Sequence, residues 1–420
     1  MPKGYKIKRY KRIYRGPGSK RPLSSSVLRW GIAAAAVLVL AFVGWNAYGP
    51  LMDYLSGALA ASNRAESSSA AGPSGASSLP GAASAPAEPE PEPEPQPPEE
   101  LRAVYVPAEV LQNAQRTDAM LSRLEGTDIN ALLIDLKDAN GRVLYRSALP
   151  QVEQTGAQAE SALDLAEFCK LLEGRGLMVI GRIYCFKDPY AASGLHGAGV
   201  RYGDTEMLWL DNDEALGGKP WLNPYAAPAR DYLAAIAGEA ASLGVRQLLL
   251  DSYGFPSGYA LELANFGDGG VPRQEALAGF VEQMAGAARP AGCGVSLYVS
   301  GTAALGYADG LYGGVNPLTL SDDVTVGVMP AQFGDRFSDE RLTLETPVLD
   351  PGATVQAFLE ALAPDLAGKR VCGIAQAYTA TNVTANRQYT AAEITAQVDA
   401  LARGGVDSYI IYSPDGYYPQ

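Results

Sequence analysis

Residues 177–184 read LMVIGRIY, residues 247–251 read QLLLD, and the interval between them holds a helix-like stretch at 228–243. Both runs are apolar almost throughout, the pattern of a strand buried on both faces, and such strands belong to parallel sheets covered by helices. The same unit recurs outward in both directions. Upstream lie RAVYV (102–106) and ALLIDL (131–136), and downstream GVSLYV (294–299), VTVGVM (324–329), VCGIAQAY (371–378) and SYIIYS (408–413). Helix-like stretches at 108–125, 162–175, 273–290, 353–364 and 390–403 separate most of them. The last opens on a Thr390-x-x-Glu393 capping box, repeats Ile394, Val398 and Leu401 at helical spacing, and stops at Gly404–Gly405. After the fifth run only Pro317–Leu320 hints at a short helix. Eight such units predict an α/β fold, a (β/α)8 TIM barrel over residues 101–420. The competing architecture is a doubly wound open sheet. It calls for a glycine-rich phosphate loop after the first strand, where this chain has VYVPAEV.

Ahead of the barrel the chain changes character. Trp30 to Met52 is an uncharged run of 23 residues, GIAAAAVLVLAFVGW at its core, and about 20 apolar residues cross a bilayer. Trp30, Trp45 and Tyr48 stand near its ends, and ten Lys/Arg precede it. That charge bias predicts a single-pass transmembrane helix at 30–52, a basic cytoplasmic tail at 1–29 and everything later outside the cell membrane. A cleaved signal peptide is the alternative, with ALAAS (58–62) as its processing site. Residues 56–100 contain no Val, Ile, Phe, Tyr or Trp, so 53–100 reads as a disordered Ala/Ser/Pro/Glu-rich linker that cannot bury enough apolar surface to order itself.

Charge and composition exclude several functions. Ten of the 33 Lys/Arg lie in the first 30 residues, which hold no acid, so the remainder sets 23 bases against 46 acids. A surface that acidic argues against nucleic acid as a partner. The single histidine, His196 in a loop-like SGLHGAG stretch, leaves little room for a Ser-His-Asp mechanism and none for a multi-histidine zinc site. Asp211-Asn212-Asp213-Glu214 lacks the glycine and terminal glutamate of a calcium loop, so no metal and no cofactor is expected. The four cysteines form no Cys-x-x-Cys and read as buried thiols, with Cys185, at a strand end, the one to test for reactivity.

In a barrel the chemistry sits at the C-terminal ends of the strands. The polar residues there are Tyr105; Asp135, Lys137 and Asp138; Arg182, Tyr184, Lys187 and Asp188; Asp251 and Tyr253; Tyr298, Ser300 and Gln332; Gln376 and Tyr378; and Tyr412. Carboxylates, an arginine and many aromatic rings on one face suit a sugar: carboxylates supply acid, base or nucleophile, and rings stack on pyranose faces. The plainer reading is that Asp135 and Asp251 cap loops or pair with Arg182 or Lys187, and that many tyrosines merely pack.

Five stretches stand in a specific order and spacing: INALLIDLKDANGRVLY (129–145), VIGRIYCFKDP (179–189), WLNPY (221–225), LLLDSYGFPSG (248–258) and AQVDALARGGVDSYIIYSPDGYY (396–418). Through them residues 101–418 resemble the glycosyl-hydrolase domain family found behind membrane anchors in many bacteria. The resemblance implies a TIM barrel and a polysaccharide or peptidoglycan glycan as partner. Three positions depart from the family pattern: Gly254 replaces an arginine before Phe-Pro-Ser, Tyr298 an acidic residue, and Gln332 a histidine. On this reading Asp251 is the nucleophile or base, with Asp138 or Asp188 reaching in from a loop as the acid. Tyr105, Asp135, Lys137, Arg182, Tyr184, Lys187, Trp221, Tyr253, Gln332, Gln376 and Tyr378 would hold the glycan. The alternative is a non-catalytic barrel that kept its cleft and binds glycans without cleaving them.

Overall fold

A computed structural model describes residues 100–267 and 270–419. The expected tail, span and linker, apart from Glu100, lie outside these residues. Among the described residues no helix is long and apolar enough to cross a membrane.

Eight parallel strands close on themselves: β1 (Arg102–Val106), β2 (Ala131–Lys137), β3 (Met178–Tyr184), β4 (Gln247–Asp251), β5 (Gly294–Ser300), β6 (Asp323–Gly327), β7 (Arg370–Gln376) and β8 (Ser408–Tyr412). Closure is direct, since β1 pairs with β8 through Ala103 and Ile410 and with β2 through Ala103 and Ala131. The near-continuous hydrophobicity of the strands now has its cause. One set of side chains, including Ala103, Leu133, Ile180, Leu249, Ile374 and Ile410, packs inside the barrel. The alternate set, including Val104, Leu132, Val179, Leu248 and Val326, packs outward under the helices.

Six longer helices cover the outside: α1 (Ala114–Leu124), α2 (Leu165–Glu173), α3 (Ala227–Ser242), α4 (Arg273–Ala288), α5 (Pro351–Leu366) and α6 (Ala391–Arg403). Asn113, Asp164 and Asp350 cap α1, α2 and α5 by accepting from backbone amides in the first turn. The Thr390/Glu393 capping box of α6 forms as expected. One expectation fails at 108–125. This stretch is two helices, because Asn113 turns extended (φ −124°, ψ 106°) to cap α1 and so ends the short helix Ala108–Leu111. The fifth connection holds only short turns, Gly301–Ala304, Asp309–Tyr312 and Pro317–Leu320. Between β3 and α3 an insertion, 185–226, builds a rim over the C-terminal face, with Leu210 bridged to Pro220 and Gly199 to Leu222.

Candidate active site

Strand register brings the site together. Asp135 on β2 stands beside Arg182 on β3, and Tyr184, two residues further along β3, stands beside Asp251 on β4. Arg182 donates from Nε to Asp135 Oδ1 at 2.5 Å and from Nη2 to Asp135 Oδ2 at 3.1 Å. Tyr105 on β1 donates its hydroxyl to the same Oδ2 at 2.8 Å. The guanidinium is wrapped by rings, its Cζ lying 5.0, 4.9 and 5.8 Å from the centroids of Tyr105, Tyr184 and Tyr412. Burial works against the Arg182 charge, but the Asp135 carboxylate outweighs it, and the guanidinium is held even further from neutrality than usual.

Asp251 is in a different position. Among the described residues its carboxyl accepts only from Ser252, from Oγ to Oδ1 at 3.2 Å and from the backbone, and no cation reaches it within ion-pair distance. Burial pushes its carboxyl above the ordinary aspartate range; Arg182 and Ser252 oppose that shift and the Asp135 charge adds to it. Ser252 itself adopts φ 49°, one of two non-glycine residues in the left-handed region among those described. Such backbone costs about 1–3 kcal/mol and persists where its surroundings enforce it. Here it turns the chain directly after the carboxyl.

On the opposite wall Gln332 links two strands' ends. Its Oε1 accepts from Gly301 N at 3.0 Å, and its Nε2 donates to Tyr298 Oη at 3.1 Å. Gly327 makes room for the pair, since a Cβ there would stand 2.9 Å from Tyr298 Oη and 3.0 Å from Gln332 Nε2. Gln332 donates into the Tyr298 oxygen, and among the described residues the phenol's own proton has no acceptor within hydrogen-bond distance. Burial and the nearby Asp251 push the Tyr298 phenol up, so it stays a neutral donor. Tyr312, from the loop after β5, is raised to about 12 by the same two causes.

The family model for the "Putative glycosyl hydrolase domain" matches residues 103–418. The chain belongs to that family. No curated protein sequence matches it. Among solved structures, this glycosyl hydrolase-like barrel is similar to the PgaB (BpsB) glycoside hydrolase domain from Bordetella bronchiseptica. That match has 14% identity over 76% of this chain and 95% of the other, with a TM-score of 0.55, and it is a likeness of fold. A hypothetical protein from Ruminiclostridium thermocellum is 28% identical over 46% of this chain and 96% of its own, with a TM-score of 0.40.

Several residues expected in the cleft of this glycosyl hydrolase-like domain are elsewhere. With a side-chain period of two, Asp135 and Lys137 should both face the barrel interior. A bulge between them shifts the register, so that Lys137 lies opposite Ile183 and turns outward. Lys137 is fully buried, its Nζ 3.1 Å from Asp188 Oδ2 and donating to the carbonyls of Tyr184 (2.5 Å) and Cys185 (3.2 Å). Asp188, likewise fully buried, accepts from Ala191 N and caps the helix Pro189–Gly194. Neither can touch a glycan. Asp138 Oδ1 accepts from the amides of Asn140 and Arg142, which makes it the hinge of a turn. Tyr253 is 0% exposed and packs on Tyr312 at 5.2 Å. Gln376 is also 0% exposed, accepting from Ala331 N and exchanging hydrogen bonds with Gln397 through its backbone. Cys185 is buried and its thiol pushed up by burial, which removes it as a reactive group.

Tyr378 and Tyr412 remain at the mouth with ring centroids 6.4 Å apart. Lys187 and Trp221 stand on the rim, Lys187 Nζ 6.0 Å from the indole, whose Nε1 donates to Asp211. The departure at Gly254 also has a local cause. A Cβ there would stand 3.1 Å from both Leu311 O and Tyr312 Cε1, so Tyr312 fills space that a side chain at 254 would need. Nothing in the sequence pointed to Tyr312, because it lies outside every strand run.

Proposed function

We propose that this protein is a membrane-anchored, extracytoplasmic glycoside hydrolase-type enzyme acting on a cell-wall or other polysaccharide, with its N-terminus in the cytoplasm. The observation that carries the reading is the contrast between two carboxyl groups on β2 and β4, either side of β3: Asp135 gripped by Arg182, and Asp251 raised by burial. A carboxyl that burial holds toward its protonated form is suited to the acid's role. Asp251 then gives its proton to the leaving glycosidic oxygen while a water molecule attacks the anomeric carbon and passes its own proton to the Asp135 carboxylate. Arg182 fixes the geometry, and Tyr105, Tyr184, Tyr298, Tyr378 and Tyr412 bind the sugar. This moves Asp251 from the nucleophile or base expected from the sequence to the acid. Membrane anchoring follows from the 30–52 run and the charges before it.

A second reading, a glycan-binding barrel without hydrolysis, draws support from Asp135. Both of its oxygens are occupied by Arg182 and Tyr105, and a two-carboxylate mechanism needs a partner free to activate water or attack, at about 5–9.5 Å. The test is to present the full-length chain with peptidoglycan and a panel of bacterial polysaccharides, measuring product release and binding, for the native chain and Asp251→Asn. Hydrolysis lost in the variant establishes the enzyme. Binding that survives the substitution with no product from any substrate establishes the second reading instead. Protease digestion of intact cells checks the topology: cleavage of the barrel from outside is expected, and protection of the barrel overturns it.

A further inference from the structure

A cavity of about 760 Å3 opens on the same face as Asp251, lined among others by Asn140, Lys187, Tyr190, Asp211, Lys219 and Ser257. Its place next to the centre is set by backbone pairing: Cys185 N donates to Asp251 O, Phe186 N to Ser252 O, and Leu222 N to Phe186 O. Lys187 is thus the next residue along a segment stitched to the strand that carries Asp251. The volume is that of a ligand site rather than a packing defect.

The lysines set its character. Among the described residues neither Lys187 nor Lys219 has a carboxylate within ion-pair distance, although acids outnumber bases 46 to 23 beyond residue 30. Asp211, the one carboxylate in the lining, accepts from Lys219 N at 2.7 Å and Trp221 Nε1 at 2.9 Å, so the cavity sets two ammonium charges against a single carboxylate held by neutral donors. Its neighbour Gly258 admits no Cβ against the Asp211 backbone, so this wall is packed and fixed. Two unpaired ammonium groups beside a ring (Tyr190), an amide (Asn140) and a hydroxyl (Ser257) form a complementary surface for a sugar with a negative substituent.

We infer that this cavity is a subsite for a sugar unit bearing an anionic group, a carboxylate or a phosphate, next to the unit held at Asp251. The inference rests on the glycan reading above and names the substrate class for it. Binding of the full-length chain in detergent micelles is measured for a polyuronate oligosaccharide, a phosphodiester-containing glycan and a neutral glucan of equal length. At least one anionic ligand is expected to bind about tenfold more tightly than the neutral one, with the preference shrinking as salt rises. Lys187→Gln with Lys219→Gln should abolish that preference, and Asp251→Asn should keep it. Equal binding of charged and neutral glycans, or a preference that survives the double substitution, overturns the inference and leaves the glycan reading standing. Binding to none of the three overturns both.

Discussion

Arg182 holds both oxygens of Asp135 along one edge of its guanidinium, through Nε and Nη2, and both side chains are about 90% shielded from solvent, at 9% and 11% exposed. A pair this buried gains little over two apolar residues, but the loss of one partner strands a charge in the barrel. Arg182→Met or Asp135→Leu alone should therefore destabilise the fold by about 3–5 kcal/mol, read as a lower urea midpoint. The double substitution should recover much of the loss. Single variants within about 1 kcal/mol of native would mean that the pair is solvated in solution.

The acidity of Asp251 sets a pH dependence. Its folded pKa lies above its unfolded one, so the group's contribution is fully present below the unfolded pKa, about 3.9, and is lost as pH rises through the folded value. Asp251→Asn removes the cost of the buried charge. It should raise Tm at pH 8 by about 2 °C or more, with the gain shrinking toward pH 4. A gain that grows on acidification would reverse the assignment.

Lys137 and Asp188, both 0% exposed, form a clamp behind the cleft. Asp188→Asn should cost about 3–5 kcal/mol of stability while the folded fraction keeps native glycan affinity. Gly141→Ala should also destabilise, because φ is +83° and a Cβ there would collide with the Asp188 carboxylate. Lost affinity in a fully folded Asp188→Asn protein would return Asp188 to the binding site.

Tyr298→Phe removes a hydroxyl whose one hydrogen bond among the described residues is the one it accepts from Gln332. Thermal stability should fall by about 1 kcal/mol at most, whereas glycan affinity or turnover should fall about tenfold, because a neutral donor free for a sugar oxygen is lost. Titration of the folded variant against the best ligand decides it. Unchanged affinity and turnover would make Tyr298 a packing residue.

Much of this was legible in the chain before folding. All eight strand runs are strands, five of the six helix-like stretches are single helices, and the Thr390/Glu393 box caps the helix it announces. These features are local: periodicity and capping act over a few residues. The site was legible as a set and opaque in its assignments. Asp135, Arg182, Tyr105 and Tyr184 converge as their strand ends imply, while Tyr312 entered unannounced from a loop.

The sequence by itself determined a parallel barrel, five of its six outer helices, and the rule that polar residues at strand ends gather on one face. Only the tertiary structure decided which of them face the cleft. Asp135 and Lys137 share a strand and a parity, yet the bulge between them leaves Asp135 under Arg182 and sends Lys137 outward to Asp188. A bulge is a property of two strands paired in register, set by the contacts each extra residue gains on the far side, and no single strand carries its signature.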